Sequence, residues 1–456
     1  MAIRPCSRCR WRAWVYGVNR TMTTVPSKAL KLSPNSNRWS KEYMRETYEQ
    51  VKRTRRYQET PPTQVGQTIR RSLVGGDIVS HLHARRQSAD SVMNTDFAPL
   101  RFEVIETDIT SPDSVRAVFS KPWPASVASL PPTVYHTTTA IRPAERSIKT
   151  YDRVTRVNVD GTSNVLAATK EIGADIFIAT SSSSGAVKPL KFGDGLFPAW
   201  QATMSKCSTR MTSINRSRLM TSLATVNARA RAEAERLVGL RRQPQERFRT
   251  GVVRPDNGIF GDVENDVTFA PGRRTSSSQY PVFFSFSPSL ETLQRPNHAS
   301  RNWISSRNVS IAHLLFEAAL NPSVRPIPPA SAGCPLFVTD PGSPIAFRDF
   351  YTLSSSLSIT PVIETYPPPG WVNLIINFPV LNKLSGWKEP TEDLVMLHPA
   401  VLTVSAYTIC DDSRARKSVE EGGTGHKGVA DTLHGLCEQL AAGPLMGRKV
   451  AGPVVA

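Results

Sequence analysis

Apolar and polar positions along this chain follow two rhythms, and both become regular only from about residue 66. FEVIETDIT (102–110) and TVYHTTTA (133–140) read as strands, the second rich in β-branched residues. RRSLVGG (70–76) reads as a strand that ends at glycines. DIFIATSSSS (175–184), FRTGVVRPDNG (248–258) and PLFVTD (335–340) are apolar runs that finish in polar residues. Helical patterns lie between them. SPDSVRAVF (111–119) opens on a Ser suited to an N-cap. VTRVNVDGTSNVLAATKEIG (154–173) is amphipathic and stops at a Gly. NARARAEAERLVG (227–239) alternates alanine with charge and has no β-branched residue before Val238.

Buried strands alternating with helices argue for a parallel sheet covered on both faces. The expected fold is α/β, a Rossmann-like doubly wound sheet with a smaller C-terminal substrate-binding region. Residues 1–65 form an extension, 66–261 the nucleotide-binding domain, and 262–456 the second region. Residues 186–226 and 262–300 read as loops or insertions, and 321–334 as a Pro- and Ala-rich connector. Ligands of such sheets sit at the carboxyl ends of the strands. Those ends carry Gly75, Asp108, His136, Thr137, Ser182 and Arg254.

Composition adds irregularity to this picture. Of 456 residues, 39% are hydrophobic and 36 are proline, so a core with substantial irregular segments is expected. The net charge is +18, and residues 1–60 hold 14 Lys/Arg against 4 Asp/Glu. More than half of the excess thus lies in a basic arm without apolar periodicity, which reads as a solvated, disordered extension. A transit-type targeting segment is the alternative, since the first 33 residues contain no Asp or Glu. No nucleic-acid partner is expected.

No apolar run follows the first Met, so no secretory signal is expected. GWVNLIINFPVL (370–381) is too short for a membrane span and reads as core, with contact to a membrane surface as the alternative. The six cysteines are scattered, which fits a reducing compartment. Cys6 and Cys9 have zinc-knuckle spacing but no second pair nearby, so no metal site is expected.

Two glycine stretches compete for a phosphate role. Gly423-Thr-Gly425-His-Lys-Gly428 matches G-x-G-x-x-G literally, but it follows the charged DDSRARKSVEE (411–421) instead of a strand. It reads as a surface turn. LVGGDIVSHL (73–82) is the better candidate. There Gly75 and Gly76 would let the backbone approach a pyrophosphate, although Asp77 would bring negative charge beside it. TSSSSGA (180–186) lacks the G-x-S-x-G elbow, which argues against a serine hydrolase.

Several blocks together resemble the extended short-chain dehydrogenase/reductases, and within them the 3β-hydroxysteroid dehydrogenase/isomerase family of fungal type. They are TAIRPAERSIKTYDRVTRVNVDGTSNVLAATKEIGADIFIATSSSS (139–184), FRTGVVRPDNGIFG (248–261), WISSRNVSIAHLLFEAAL (303–320), LFVTDPGSPIAFRDFY (336–351) and DDSRARKSVEEGG (411–423). The resemblance implies NAD(P)-dependent oxidation or reduction of a sterol-like secondary alcohol or ketone. A relative that binds nucleotide or sterol without turnover is the alternative.

The resemblance also implies roles. Gly75 and Gly76 would be the remnant of the glycine loop, and Asp108 and Ile109 would meet the adenine ring. His136, Thr137, Thr138 and Ala140 would line the cofactor. Asn158 would brace sheet and helix, and Ser182 would hold the substrate oxygen. Pro255, Asn257 and Gly258 would close over the nicotinamide side. Whether the cofactor is NAD or NADP stays open, with Asp96 as the candidate ribose-binding acid. The resemblance adds the endoplasmic-reticulum membrane surface as an alternative to the cytoplasm.

The sequence departs from the family at the reacting centre. Asn227 stands at the family's tyrosine position and Arg231 at its lysine position, in a frame fixed by RAEAERLV. In the family the tyrosine relays a proton while the lysine lowers its pKa and binds ribose. Asn227 cannot ionise. Arg231 keeps a positive charge that could reach ribose hydroxyls, but it is always protonated and differently shaped. No Tyr lies between Tyr151 and Tyr280 to substitute.

Overall fold

Val134 and Tyr135 are neighbours in one strand, yet they belong to different cores. Successive strand residues point to opposite faces of a sheet. A continuous apolar run can therefore feed two cores at once. The computed structural model describes residues 2–5, 39–58, 73–84, 93–94, 103–140, 151–186, 226–240, 247–256, 258–261, 292–293, 300–357, 364–365 and 410–442.

In chain order the elements begin β1 (Ala2–Pro5), α1 (Lys41–Gln58), α2 (Leu73–Ala84), β2 (Met93–Asn94), β3 (Glu103–Val104), α3 (Pro112–Phe119) and β4 (Pro132–His136). Next come α4 (Tyr151–Thr155), a π-helical turn (Arg156–Asp160), α5 (Gly161–Glu171), β5 (Ile176–Thr180), α6 (Val226–Leu240), β6 (Arg249–Pro255) and β7 (Ile259–Phe260). Then follow β8 (Thr292–Leu293), β9 (Ser300–Arg301), β10 (Ile304–Ser305), α7 (Ser306–Leu320), β11 (Pro335–Val338), β12 (Ile345–Ala346) and α8 (Phe347–Leu357). The last are β13 (Glu364–Thr365), α9 (Ser413–Arg416) and α10 (Thr432–Ala442).

The main sheet has the order β11-β6-β5-β4-β1-β2-β3. β11, β6, β5 and β4 are parallel, as are β2 and β3. β1 alone runs antiparallel to both of its neighbours. On one face Tyr135, Ile176, Ile178 and Val253 pack with Val74, Ile78, Val79 and Leu82 of α2 and with Val309 and Phe316 of α7. On the other, Val134, Phe177, Ala179 and Val252 pack with Val115 and Val118 of α3, Val165 and Leu166 of α5, and Val238 of α6. The doubly wound α/β class is thus met. Gly251 is required in β6, because a Cβ there would lie 2.8 Å from the Phe316 ring.

The predicted helices at 111–119, 154–173 and 227–239 form close to their expected bounds. The Ser111 hydroxyl caps α3 by accepting from the Ser114 amide at 3.3 Å. Gly173 ends the run after α5 with a φ of 68°.

Three expectations need correction. The stretch around Gly75 and Gly76 is not a strand end. Both glycines lie inside α2, because Val74, Ile78 and Leu82 recur at helical spacing and face α7. The Asp77 carboxylate accepts from the Ser306 hydroxyl, and His81 Nδ1 bonds the Ser310 hydroxyl, so polar pairs one turn apart dock the two helices.

The basic arm is not wholly disordered, since residues 41–58 form α1. Met44, Tyr48 and Val51 sit at i, i+4 and i+7 and pack on Phe350 and Leu353 of α8 and Leu433, Leu436 and Cys437 of α10. Finally, Gly423–Gly428 is not a surface turn. Thr424 and His426 are buried, and main-chain bonds from Gly425 to Lys417 and from His426 to Ala415 fold the loop inward.

A buried acid joins the sheet to the C-terminal region. Asp340, just past β11, accepts from the Ser305 amide at 2.9 Å, from Asn308 Nδ2 at 2.6 Å and from the Thr432 hydroxyl at 3.0 Å. Burial pushes its pKa up to about 7. Among the described residues no helix is long and apolar enough to cross a membrane, and no group of three His, Cys, Asp or Glu side chains could hold a metal. Residues 370–381, Cys6 and Cys9 lie outside the described residues.

Met44→Ala should destabilise the protein by about 2–5 kcal/mol, the cost of truncating a buried Met. A denaturant midpoint unchanged from the parent would mean that α1 is not docked.

Acid should also weaken the fold. Burial pushes His136 down to about 3 and both His313 and His426 down to about 4, from 6.5. The unfolded chain therefore takes up protons that the folded chain refuses, and stability falls as pH drops from about 6.5 towards 4. Asp340 opposes this, because its folded pKa is raised and its contribution is lost only as pH rises through about 7. Asp340→Asn should steepen the acid loss in thermal melts at pH 7, 6 and 5. Melts independent of pH would overturn the assignment.

Candidate active site at the carboxyl edge of the sheet

Four serines follow β5, and their surroundings separate them. The Ser181 hydroxyl donates to the Glu235 carboxylate of α6. The Ser183 hydroxyl donates to Asp256 Oδ1 at 2.8 Å, just past β6. Ser184 is also buried, and its amide and hydroxyl both reach Ser182 Oγ, at 3.2 and 3.0 Å. Ser182 alone of the four is half-exposed. Ser181 and Ser183 are thus anchored inward, while Ser182 accepts both bonds from Ser184 and is the least buried of the four.

α6 supplies that anchorage from one face. Arg231 and Glu235 are four residues apart and share a side of the helix. Arg231 Nη1 donates to the Ser181 carbonyl at 2.8 Å, and Arg231 is buried. Arg254 of β6 donates through Nε to both Glu235 oxygens, at 2.8 and 3.0 Å, and again through Nη2. Its guanidinium carbon lies 5.2 Å from the centre of the Phe337 ring. The Asn227 side chain lies outside the described residues.

Glu233 is two residues from Arg231, roughly 200° around the helix. It accepts from the Tyr151 hydroxyl at 2.7 Å, on the side away from the serine turn. Tyr151 therefore does not serve the Ser182 edge.

Asn158 lies in the π-helical turn, a feature that re-aims side chains and recurs at functional sites. Its Oδ1 accepts from the Ala140 amide at 2.7 Å and the Thr139 hydroxyl at 3.1 Å, while Nδ2 donates to the Ala140 carbonyl at 3.0 Å. Three bonds clamp the loop that leaves β4. Thr138 on that loop is exposed and Thr137 half-exposed.

His136 lies elsewhere. It is buried, its Nε2 sits 2.9 Å from the Thr162 hydroxyl of α5, and its ring packs on Phe177. Thr162 gives its proton to the Asn158 carbonyl, so the neutral His136 donates from Nε2. The expectation that its side chain lines a cofactor is replaced by a role under α5.

The loop after β3 borders a cavity of about 260 Å³ lined by Glu106, Thr107, Asp108, Ile109, Thr110 and Val157. Asp108 Oδ1 accepts from the Thr110 amide at 2.9 Å and its hydroxyl at 2.8 Å, a turn that holds the side chain on the loop. Gly161 backs this wall, because a Cβ there would lie 2.7 Å from Ile109. Asp108 and Ile109 are thus together, whereas Gly75 and Gly76 are in α2. Pro255 belongs to β6, opposite Val338. The Gly258 carbonyl accepts from the Ile304 amide at 3.2 Å, and Asn257 lies outside the described residues.

The profile of the 3-beta hydroxysteroid dehydrogenase/isomerase family matches residues 64–361, well over half of the chain. The chain belongs to that family. No curated protein matches it. Among solved structures it is similar to RMD from Pseudomonas aeruginosa complexed with NADPH, with 15% identity, 81% of this chain and 94% of that one covered, and a TM-score of 0.47. It is similar to a UDP-glucose 4-epimerase from Thermotoga maritima solved with UDP-glucose, with 13% identity, 81% and 95% coverage, and a TM-score of 0.48. A short-chain dehydrogenase/reductase superfamily protein from Agrobacterium tumefaciens with bound NAD gives 14%, 81%, 93% and 0.48 on the same measures. Likeness at this level carries no functional weight.

In this family member the sequence reading overlooked Glu235, Asp256 and Cys410. Cys410 donates from its thiol to Asp256 Oδ1 at 3.5 Å, joining the C-terminal region to the serine turn. Glu235 was detectable, since it lies four residues after Arg231. Asp256 and Cys410 are 154 residues apart, and no spacing rule links them.

Arg254→Met strands the Glu235 charge in the interior and should destabilise by about 3–5 kcal/mol. The double variant Arg254→Met/Glu235→Leu should recover most of that loss in urea unfolding. Equal loss in both would show that packing, not charge, dominates.

Proposed function

We propose that this protein is an NAD(P)-dependent oxidoreductase acting on the CH–OH group of a sterol-like secondary alcohol, or on the matching ketone. Family membership supplies the reaction class. The observation that carries the reading is Ser182, half-exposed at the carboxyl edge of the sheet between Ser181 and Ser183, which are held inward by Glu235 and Asp256. Ser182 would hold the substrate oxygen, and Asn158 would keep the loop after β4 open beside it.

The adenine side fits the cofactor. Ile109 and Val157 give the cavity apolar walls for a flat ring, and Asp108 gives it a polar rim. The nicotinamide, when bound, supplies or accepts hydride. The chain's own part is to orient the carbinol and to move its proton.

That last step favours a second reading, binding with little or no turnover. Arg231 donates to the Ser181 carbonyl, and Asn227 cannot ionise. Losing a positioned proton-transfer group costs about 10²–10⁴ in rate.

Titration of the purified chain with NADH and NADPH, followed by fluorescence, tests both readings. It should be repeated on Asn227→Tyr/Arg231→Lys with a 3β-hydroxysteroid as substrate. The expected result is saturable binding by both proteins and turnover at least about 10²-fold faster in the variant. Absence of binding in both would overturn the proposal.

A further inference from the structure

The main sheet carries one strand of the wrong sense in its centre. β1 lies between β4 and β2 and is antiparallel to both. Since β2 is antiparallel to β1, it runs parallel to β4. Without β1 the sheet is therefore uniformly parallel, with one slot open between β4 and β2. α2 packs against β1 and against α7, and the chain then passes to β2. A right-handed crossover of that kind starts from a parallel strand in the slot. A strand that leads from the slot into the amino end of the following helix is also what a dinucleotide phosphate site requires.

The occupant is weakly held. Pro5 stands opposite Pro132, and neither residue has an N–H to give the ladder. Against β2 the pairing is limited to Ala2 with Asn94 and Ile3 with Met93. The amino end of β1 lies beside the carboxyl end of β4, Ala2 opposite Tyr135, on the edge that carries the serine turn.

We infer that Ala2–Pro5 is a self-inserted plug. It fills, in antiparallel sense, the slot that a dinucleotide-binding strand must fill in parallel sense, and its withdrawal gates dinucleotide binding. This rests on the proposed cofactor reading.

The test compares NADH binding by the full chain, by a chain lacking residues 2–5, and by the full chain with Ile3→Pro. Amide exchange at Ile3 and Arg4 is followed with and without NADH. If the plug is in place at least nine-tenths of the time, both variants should bind NADH about tenfold tighter or more, because only the open fraction is competent. NADH should also speed exchange at Ile3 and Arg4 in the unaltered chain. Equal affinity in all three proteins overturns the plug and leaves the cofactor reading standing. No binding by any of them overturns the cofactor reading and the plug with it. If a variant loses its far-ultraviolet dichroism, the exchange experiment decides alone, and exchange unchanged by NADH overturns the plug.

Discussion

The ion pair between Arg254 and Glu235 holds the carboxyl edge of the sheet together. It is buried on both sides, and the guanidinium meets the carboxylate through two nitrogens. A charge moved from water into a protein interior is tolerable only when it is paired and its remaining valences are filled. Here Ser181 takes one more position on the Glu235 carboxylate, and the Phe337 ring lies under Arg254. β6, α6 and the end of β5 are therefore fixed by one polar contact. The place of Ser182 follows from it. With Ser181 drawn to Glu235 and Ser183 to Asp256, the serine between them is the least buried of the four.

Much of this architecture was legible where local and global signals agree. The stretches at 133–136, 176–180 and 249–255 became strands because each feeds both cores. Ser111 and Gly173 marked helix ends through capping and left-handed backbone, which act within a few residues. Asp108, Ile109, Asn158 and Ser182 were marked by family resemblance; the first two lie in the loop after β3, Asn158 in the π-helical turn and Ser182 just past β5. The partners of Asn158 on the loop after β4 were not legible, since a π-helical turn has no period that a sequence displays.

The misreadings share one cause, which is that tertiary contact overrode local composition. Two adjacent glycines favour a turn, yet Gly75 and Gly76 sit within a helix whose Val74, Ile78 and Leu82 are buried against α7. A stretch dense in Arg and Lys favours solvent, yet three residues of α1 at helical spacing are enough to dock it. Lys41, Arg45 and Arg53 are exposed on the same helix, so charge and burial coexist. His136 was expected in a ligand site because it ends a strand of a parallel sheet and because the family resemblance sets it beside the cofactor. Its position in β4 puts it on the α5 side of the sheet with Val134 and not on the open edge.

Binding and chemistry come apart on α6. One side of that helix, through Arg231 and Glu235, is committed to the serine turn and to β6. The other, through Glu233, is committed to Tyr151. In the family the first side also carries the proton relay, so two tasks share one surface. Here Arg231 and Glu235 perform the anchoring task. A guanidinium has more donors than an ammonium and a longer reach, which suits it to hold a main-chain carbonyl. It stays protonated near neutral pH, so at Arg231 the charge that holds the turn is permanent. The edge can therefore keep its shape, its half-exposed Ser182 and the cavity beside Asp108 through contacts that do not depend on a titrating group at position 231.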